Sequence, residues 1–198
     1  MIRALQTRLR SAALWRALAD DRASQIVEFA LSLPLLMLFV VGIFDFSGAL
    51  SLKQKLTNVA RDAARVAAAD PASDLASPSG VPASVSDAYQ VVDNSLIAEK
   101  INDCGMAGTT PTLTAGTLTW VSPNLTGCPG GTGLVVTINR GCVVAQQALG
   151  TTTTDVVDTC VTIQYPYQWR YYKVASLVGG TGSGPSTIST TAAAFNEN

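Results

Sequence analysis

The side chains able to do chemistry in this 198-residue chain are few. There is no histidine, which removes the Ser-His-Asp and Cys-His arrangements, the His-containing zinc sites and the usual general base. The four cysteines, Cys104, Cys128, Cys142 and Cys160, stand 24, 14 and 18 residues apart. No C-x-x-C pair of the kind a zinc ribbon or thioredoxin-like site uses is among them. An even number of cysteines beyond an apolar segment suggests two disulfides in an oxidising compartment, with free buried thiols as the alternative. Asp155, Asp158, Glu99 and Asp103 could form a carboxylate pair, but nothing in their spacing favours that over solvated loop acids. An anchored hydrolase using such acids, or a Ser-Lys pair with Lys173, has no substrate nominated for it. The stretch Gly179-Gly180-Thr181-Gly182-Ser183-Gly184-Pro185 lacks the lysine and following helix of a phosphate loop and reads as a surface loop. These residues point to a non-enzyme with no cofactor and no metal.

One acid stands in an expensive place. Glu28 borders the uncharged sixteen-residue run Phe29–Phe44, and Asp45 closes it. A spanning helix needs about 20 apolar residues, so this run reaches across a bilayer only if the helix extends to Ile26 on one side and Phe46 on the other. Asp45 can then sit at the outer interface, whereas Glu28 needs a proton or a partner. The net charge of −1 hides an asymmetry. Residues 1–70 carry nine Lys/Arg against six Asp/Glu, and residues 71–198 carry four against eight. The basic end reads as a cytoplasmic anchor rather than a nucleic-acid site, because Lys and Arg resist translocation. Three processing fates fit: an uncleaved signal anchor, a secretory signal cut after Ser47-Gly48-Ala49, or a pilin-type signal.

The elements that carry these residues begin with a long helix. From Ile26 to about Ala69 no helix-breaking pair occurs, and 44 residues would make a rod on the order of 65 Å long. Pro34 lies inside it, a feature membrane helices tolerate, and Gly42 and Gly48 are small positions that allow close approach. Leu52, Leu56, Val59, Ala63 and Val66 recur at helical spacing as one apolar stripe, suited to packing on the chain's own C-terminal part and also on neighbouring subunits. Asp70-Pro71 ends the helix.

The stretch RASQIVEFALSLPLLMLFVVGIFDFSGALSLKQKLTNVARDAARVAAA resembles the TadE-like family of pilus-assembly proteins. The resemblance rests on Ala23, Glu28-Phe29-Ala30, Pro34, Gly42, Asp45-Phe46 and Asn58-Val59-Ala60-Arg61 through Arg65, and is looser at Val161–Pro166 and Thr191–Ala194. It implies a pseudopilin of the tight-adherence, Flp-type pilus used in adhesion, cut between Ala23 and Ser24 by a prepilin peptidase. Ala23 departs from the glycine more usual before that cut. Glu28 and Phe29 would become the fifth and sixth mature residues, and Glu28 could pair with a neighbouring subunit's amino terminus. The implied partners are that peptidase, other pilins and pseudopilins, the inner-membrane assembly platform and membrane lipid. The implied location is the bacterial inner membrane, single-pass, with the N-terminus cytoplasmic and the C-terminal domain periplasmic. The rival is a membrane-anchored periplasmic binding or adhesin module that never enters a fibre.

The expected fold is α+β, with the long helix carrying a small antiparallel sheet. The expected divisions are a basic leader over 1–23, the helix over 24–69, a Pro/Ser/Ala linker over 70–86 and an extracytoplasmic domain over 87–198. Within that domain the pattern predicts a helix over 87–101, capped by Ser86 or Asp87, and strands over 112–121, 133–147, 156–171 and 186–195. A hairpin around Gly150-Thr151-Thr152 would place Cys142 opposite Cys160 and leave Cys104 for Cys128, although sequence alone allows three connectivities. Tyr165, Tyr167, Trp169 and Tyr171 alternate onto one strand face, either as a core face or, with Tyr172 nearby, as a docking strip.

Overall fold

A computed structural model describes residues 21–75, 80–128, 133–149, 152–170 and 186–196. One helix, α1, runs without interruption over Asp21–Ala69 and through Pro34. It stops just before Asp70-Pro71, where proline cannot continue it. A 3-10 turn, Ala72–Leu75, leads to α2 (Ala83–Ala98). Five strands follow: β1 (Thr112–Leu113), β2 (Thr119–Val121), β3 (Val135–Leu149), β4 (Thr152–Tyr167) and β5 (Ser186–Phe195). They form one antiparallel sheet in the order β1-β2-β3-β4-β5. The fold is α+β.

Several boundaries differ from the sequence reading. The helix expected over 87–101 begins at Ala83, inside the stretch expected as linker. Its first turn is capped neither by Ser86 nor by Asp87. Instead the Asp74 carboxylate accepts the Ser84 N–H at 3.2 Å, from ten residues upstream. At the other end Lys100 N–H donates to Ile97 O at 3.0 Å and Ile101 N–H to Leu96 O at 2.8 Å. Lys100 takes the left-handed conformation this closure needs, at φ 57°. The single strand expected over 112–121 is two short strands, because Gly116 at φ 76° turns the chain back between them. The strand expected to reach 171 ends at Tyr167, while Tyr171, Tyr172 and Lys173 lie outside the described residues.

The second half of α1 packs on one face of the sheet. Leu56, Val59, Ala60, Ala63, Ala64 and Ala67 are buried against inward residues of three strands: Val136 and Ile138, Val161 and Ile163, and Ala192. Register aligns Ile138 with Val161 and Val161 with Ala192, so the helix meets a flat apolar row. Alanine lets the helix lie close to that row. The opposite face carries exposed Gln164, Ser189 and Thr191. This one-sided pattern is what an antiparallel sheet covered on one face requires.

A bulge in β3 decides two further features. Asn139 pairs with Cys160 and Cys142 with Asp158, so two residues, Arg140 and Gly141, face Thr159 alone. The expected pairing of Cys142 directly with Cys160 is therefore displaced. Before the bulge, paired residue numbers sum to 299 (139 and 160), a register that would set Cys142 on the inward face. The extra residue reverses the alternation and returns Cys142 to the face of Cys160. The disulfides join Cys142 to Cys160, with Cα atoms 6.0 Å apart, and Cys104 to Cys128, at 4.5 Å.

Arg140 itself points inward and is 1 % exposed. Its guanidinium donates to Ala67 O, to Asp70 O at 3.0 Å and to Thr159 Oγ1 at 2.8 Å. The last carbonyls of α1 thus receive a cation at the negative end of the helix dipole. Burial pulls the Arg140 pKa down, and the charges of Asp74 and Asp70 oppose that shift. Arg140→Met should leave these buried carbonyls unsatisfied and cost about 2–3 kcal/mol. Urea unfolding of the full chain in detergent measures this, and an unchanged midpoint would remove Arg140 from the account.

Candidate functional site

The residues singled out in sequence lie along α1 in two contrasting settings. In the first half nearly every side chain is exposed, on all sides of the helix, and Phe29, Leu31, Leu36, Phe39 and Ile43 are among them. Such a helix has no core to face and suits an apolar solvent. Gln25–Ala69 contains the one helix among the described residues that is long and apolar enough to cross a membrane. Glu28 is exposed beside Phe29, while Ala23 and Ser24 lie on the helix with side chains outside the described set. Gly42 leaves a notch lined by Leu38, Phe39, Ile43 and Phe46, with nothing within 4 Å of a Cβ built there.

Of the stripe in the second half, Leu56, Val59 and Ala63 are buried, and Leu52 and Val66 are half-buried. Ala60, Ala64, Ala67 and Ala68 widen it. Two polar links hold the helix laterally. Lys55 Nζ lies 3.1 Å from Glu99 Oε2 and donates to Glu99 O at 3.2 Å. The Thr57 and Thr190 hydroxyls are 2.9 Å apart.

Between the halves sits Asp45. This acid is 8 % exposed, while its neighbours Phe44 and Phe46 are 68 % and 64 % exposed. Among the described residues it is the one buried position between Gln25 and Leu50. Its Oδ1 accepts the Arg170 backbone N–H at 3.0 Å. The Tyr167 hydroxyl donates to Asp45 O at 3.2 Å, with Oδ1 3.5 Å away. Gly48, one turn on, makes room for that hydroxyl, since a Cβ there would come within 3.2 Å of it. The end of β4 is thereby fixed to the helix at the last residues of the apolar run.

The aromatic set divides. Tyr165 and Tyr167 face the core, with the Tyr165 hydroxyl donating to Asn102 O at 3.1 Å. Trp169 stands beyond the strand, half-buried, with its ring edge-on to Tyr167 at 5.2 Å. Of the acids weighed as a carboxylate pair, Glu99, Asp103 and Asp158 have described side chains. Glu99 is engaged by Lys55, Asp103 Oδ2 accepts the Ala107 N–H at 3.4 Å, and Asp158 is buried on β4. The Asp155 side chain lies outside the described residues. No group of three or more metal-ligating side chains occurs among the described residues.

The Asp45 junction had no signal in sequence, because its partners are 122 and 125 residues away. Arg140 had one, since the alternation Val136, Ile138, Arg140 assigns it to the inward face.

The family model for TadE-like proteins matches residues 23–65, nearly the whole of α1 across its exposed and its buried half. No curated protein and no solved structure matches the chain.

Burial raises the Tyr167 pKa, and the neighbouring Asp45 charge raises it further. A phenol whose folded pKa exceeds its unfolded value of about 10 adds stability that is complete below that value and lost as pH climbs through the folded one. Asp45→Asn should therefore bring the Tyr167 titration down toward the ordinary range. Tyrosinate absorbance, taken as the difference from a Tyr167→Phe background, reads this. An unmoved titration would show that the carboxylate does not act on the phenol.

Proposed function

We propose that the chain is a TadE-like pseudopilin that takes part in assembling tight-adherence, Flp-type pili for surface adhesion. One observation carries the reading. The match at residues 23–65 falls on a single helix that is apolar and exposed in its first half and forms its own domain's core in its second. The TadE-like family is structural rather than catalytic and is associated with pilus components, which agrees with the absence of histidine.

In this reading α1 crosses the bacterial inner membrane once. The basic leader, residues 1–23, stays cytoplasmic and the disulfide-bonded domain is periplasmic. A prepilin peptidase cuts between Ala23 and Ser24, removing Arg3, Arg8, Arg10, Arg16 and Arg22 and exposing a new amino group. Glu28 then pairs with the amino terminus of a neighbouring pilin or pseudopilin, which offsets the cost of burying the acid. Because Leu56, Val59 and Ala63 are consumed by the chain's own sheet, contacts with neighbours fall to the exposed half, where Pro34 and Gly42 lie. The assembly platform of the inner membrane is the other expected partner.

The intact mass of the mature protein should correspond to a start at Ser24; a retained Met1 or a cut after Ala49 would exclude the pseudopilin and favour an anchored binding or adhesin module. Glu28→Ala should insert normally yet reduce piliation, and normal piliation in that variant would remove the pairing role.

A further inference from the structure

The junction at Asp45 fixes a height. The uncharged run Phe29–Phe44 is on the order of 24 Å long, against about 30 Å for a bilayer's hydrocarbon core. Adding Ile26–Glu28 on one side and Asp45–Phe46 on the other makes up the difference, which places the outer boundary of a membrane around α1 near Phe46. Phe46 is exposed and apolar, as that position demands. Asp45 falls within this boundary, and so does whatever is bonded to it.

Bonded to it is the end of β4. Arg170 N–H lies 3.0 Å from the Asp45 carboxylate and the Tyr167 hydroxyl 3.2 Å from its carbonyl. The segment Tyr167–Arg170 is thus held level with Phe44 and Phe46. Its chemistry suits that level. Trp169 is half-buried, whereas Trp120 is wholly enclosed in the core. An indole with an apolar body and one N–H donor settles at the boundary between acyl chains and headgroups. Arg170 is exposed, and its long stem can lie along apolar surface while its guanidinium reaches phosphate oxygens.

We propose that Tyr167–Arg170 is a lipid-contacting lip, with Trp169 at the headgroup–acyl boundary and Arg170 on phosphate, so that the C-terminal domain rests on the bilayer surface. The occupant is the phospholipid bilayer in which α1 itself sits, because the lip is continuous with the apolar surface of the span. The arrangement also accounts for Asp45. An acid at membrane depth is tolerated when it is hydrogen-bonded within the protein, and the Arg170 N–H at 3.0 Å and the Tyr167 hydroxyl at 3.5 Å both reach its Oδ1. The proposal rests on the membrane-spanning reading of α1.

The test uses the full chain reconstituted in phosphatidylcholine vesicles whose lipids carry bromine at shallow or deep acyl positions. Trp169 fluorescence is isolated as the difference between the native protein and Trp169→Phe. A Phe44→Trp change in the Trp169→Phe background provides a depth reference on the helix. The expected result is loss of most Trp169 intensity with shallow bromines and less with deep ones, alongside quenching of the reference indole on the helix. A quenched reference with an unaffected Trp169 would overturn the lip while leaving the span intact. Quenching of neither would overturn the span, and the lip with it.

Discussion

A single helix that must satisfy two different surroundings is the constraint on which the rest of this structure depends. Over its first half α1 presents apolar side chains in every direction, which only a nonpolar solvent or other apolar helices can accept. Over its second half it presents a stripe of leucine, valine and alanine, and a sheet accepts that stripe. Both halves belong to one hydrogen-bonded rod. The position of the domain relative to the apolar segment is therefore set by backbone geometry, with no flexible tether between them.

That arrangement raises a problem at each end of the buried half, and the sheet answers both. At the upper end the last carbonyls of α1 have no intrahelical donors, and Arg140 provides them from β3. At the lower end an acid lies beside exposed phenylalanines, and Tyr167 and Arg170 provide its hydrogen bonds from the end of β4. The bulge after Asn139 serves the upper contact and the disulfide together. It follows an inward Arg140 with a change of alternation that returns Cys142 to the face of Cys160. Local irregularity in one strand thus reconciles a buried cation with a cross-strand covalent link.

Much of the helix was legible in sequence because its signals are local. The charge-free run, the 3.6-residue stripe and the Asp70-Pro71 stop can each be read within a short window, and the resemblance to TadE-like proteins falls on the same residues. The sheet was legible in outline, since Thr, Val and Ile enrichment marks strands, but its register was not. Single-residue shifts leave no compositional trace, and the turn register together with the shift between Val143 and Ala145 sets Cys142 opposite Asp158 rather than Cys160. The split between β1 and β2 hung on one glycine conformation at Gly116. The burial of Asp45 was unreadable for a different reason. It is a contact between residues more than a hundred positions apart, so nothing near Asp45 distinguishes a buried acid from an interfacial one.

The central claim is the continuity of α1 through the junction, and amide hydrogen exchange on the membrane-reconstituted chain tests it most directly. A continuous rod predicts protected amides without a gap from the apolar run through Phe46–Leu52 to Ala67. Fast exchange confined to Phe46–Leu52, flanked by protection on both sides, would contradict it and make the domain a body swinging on a tether.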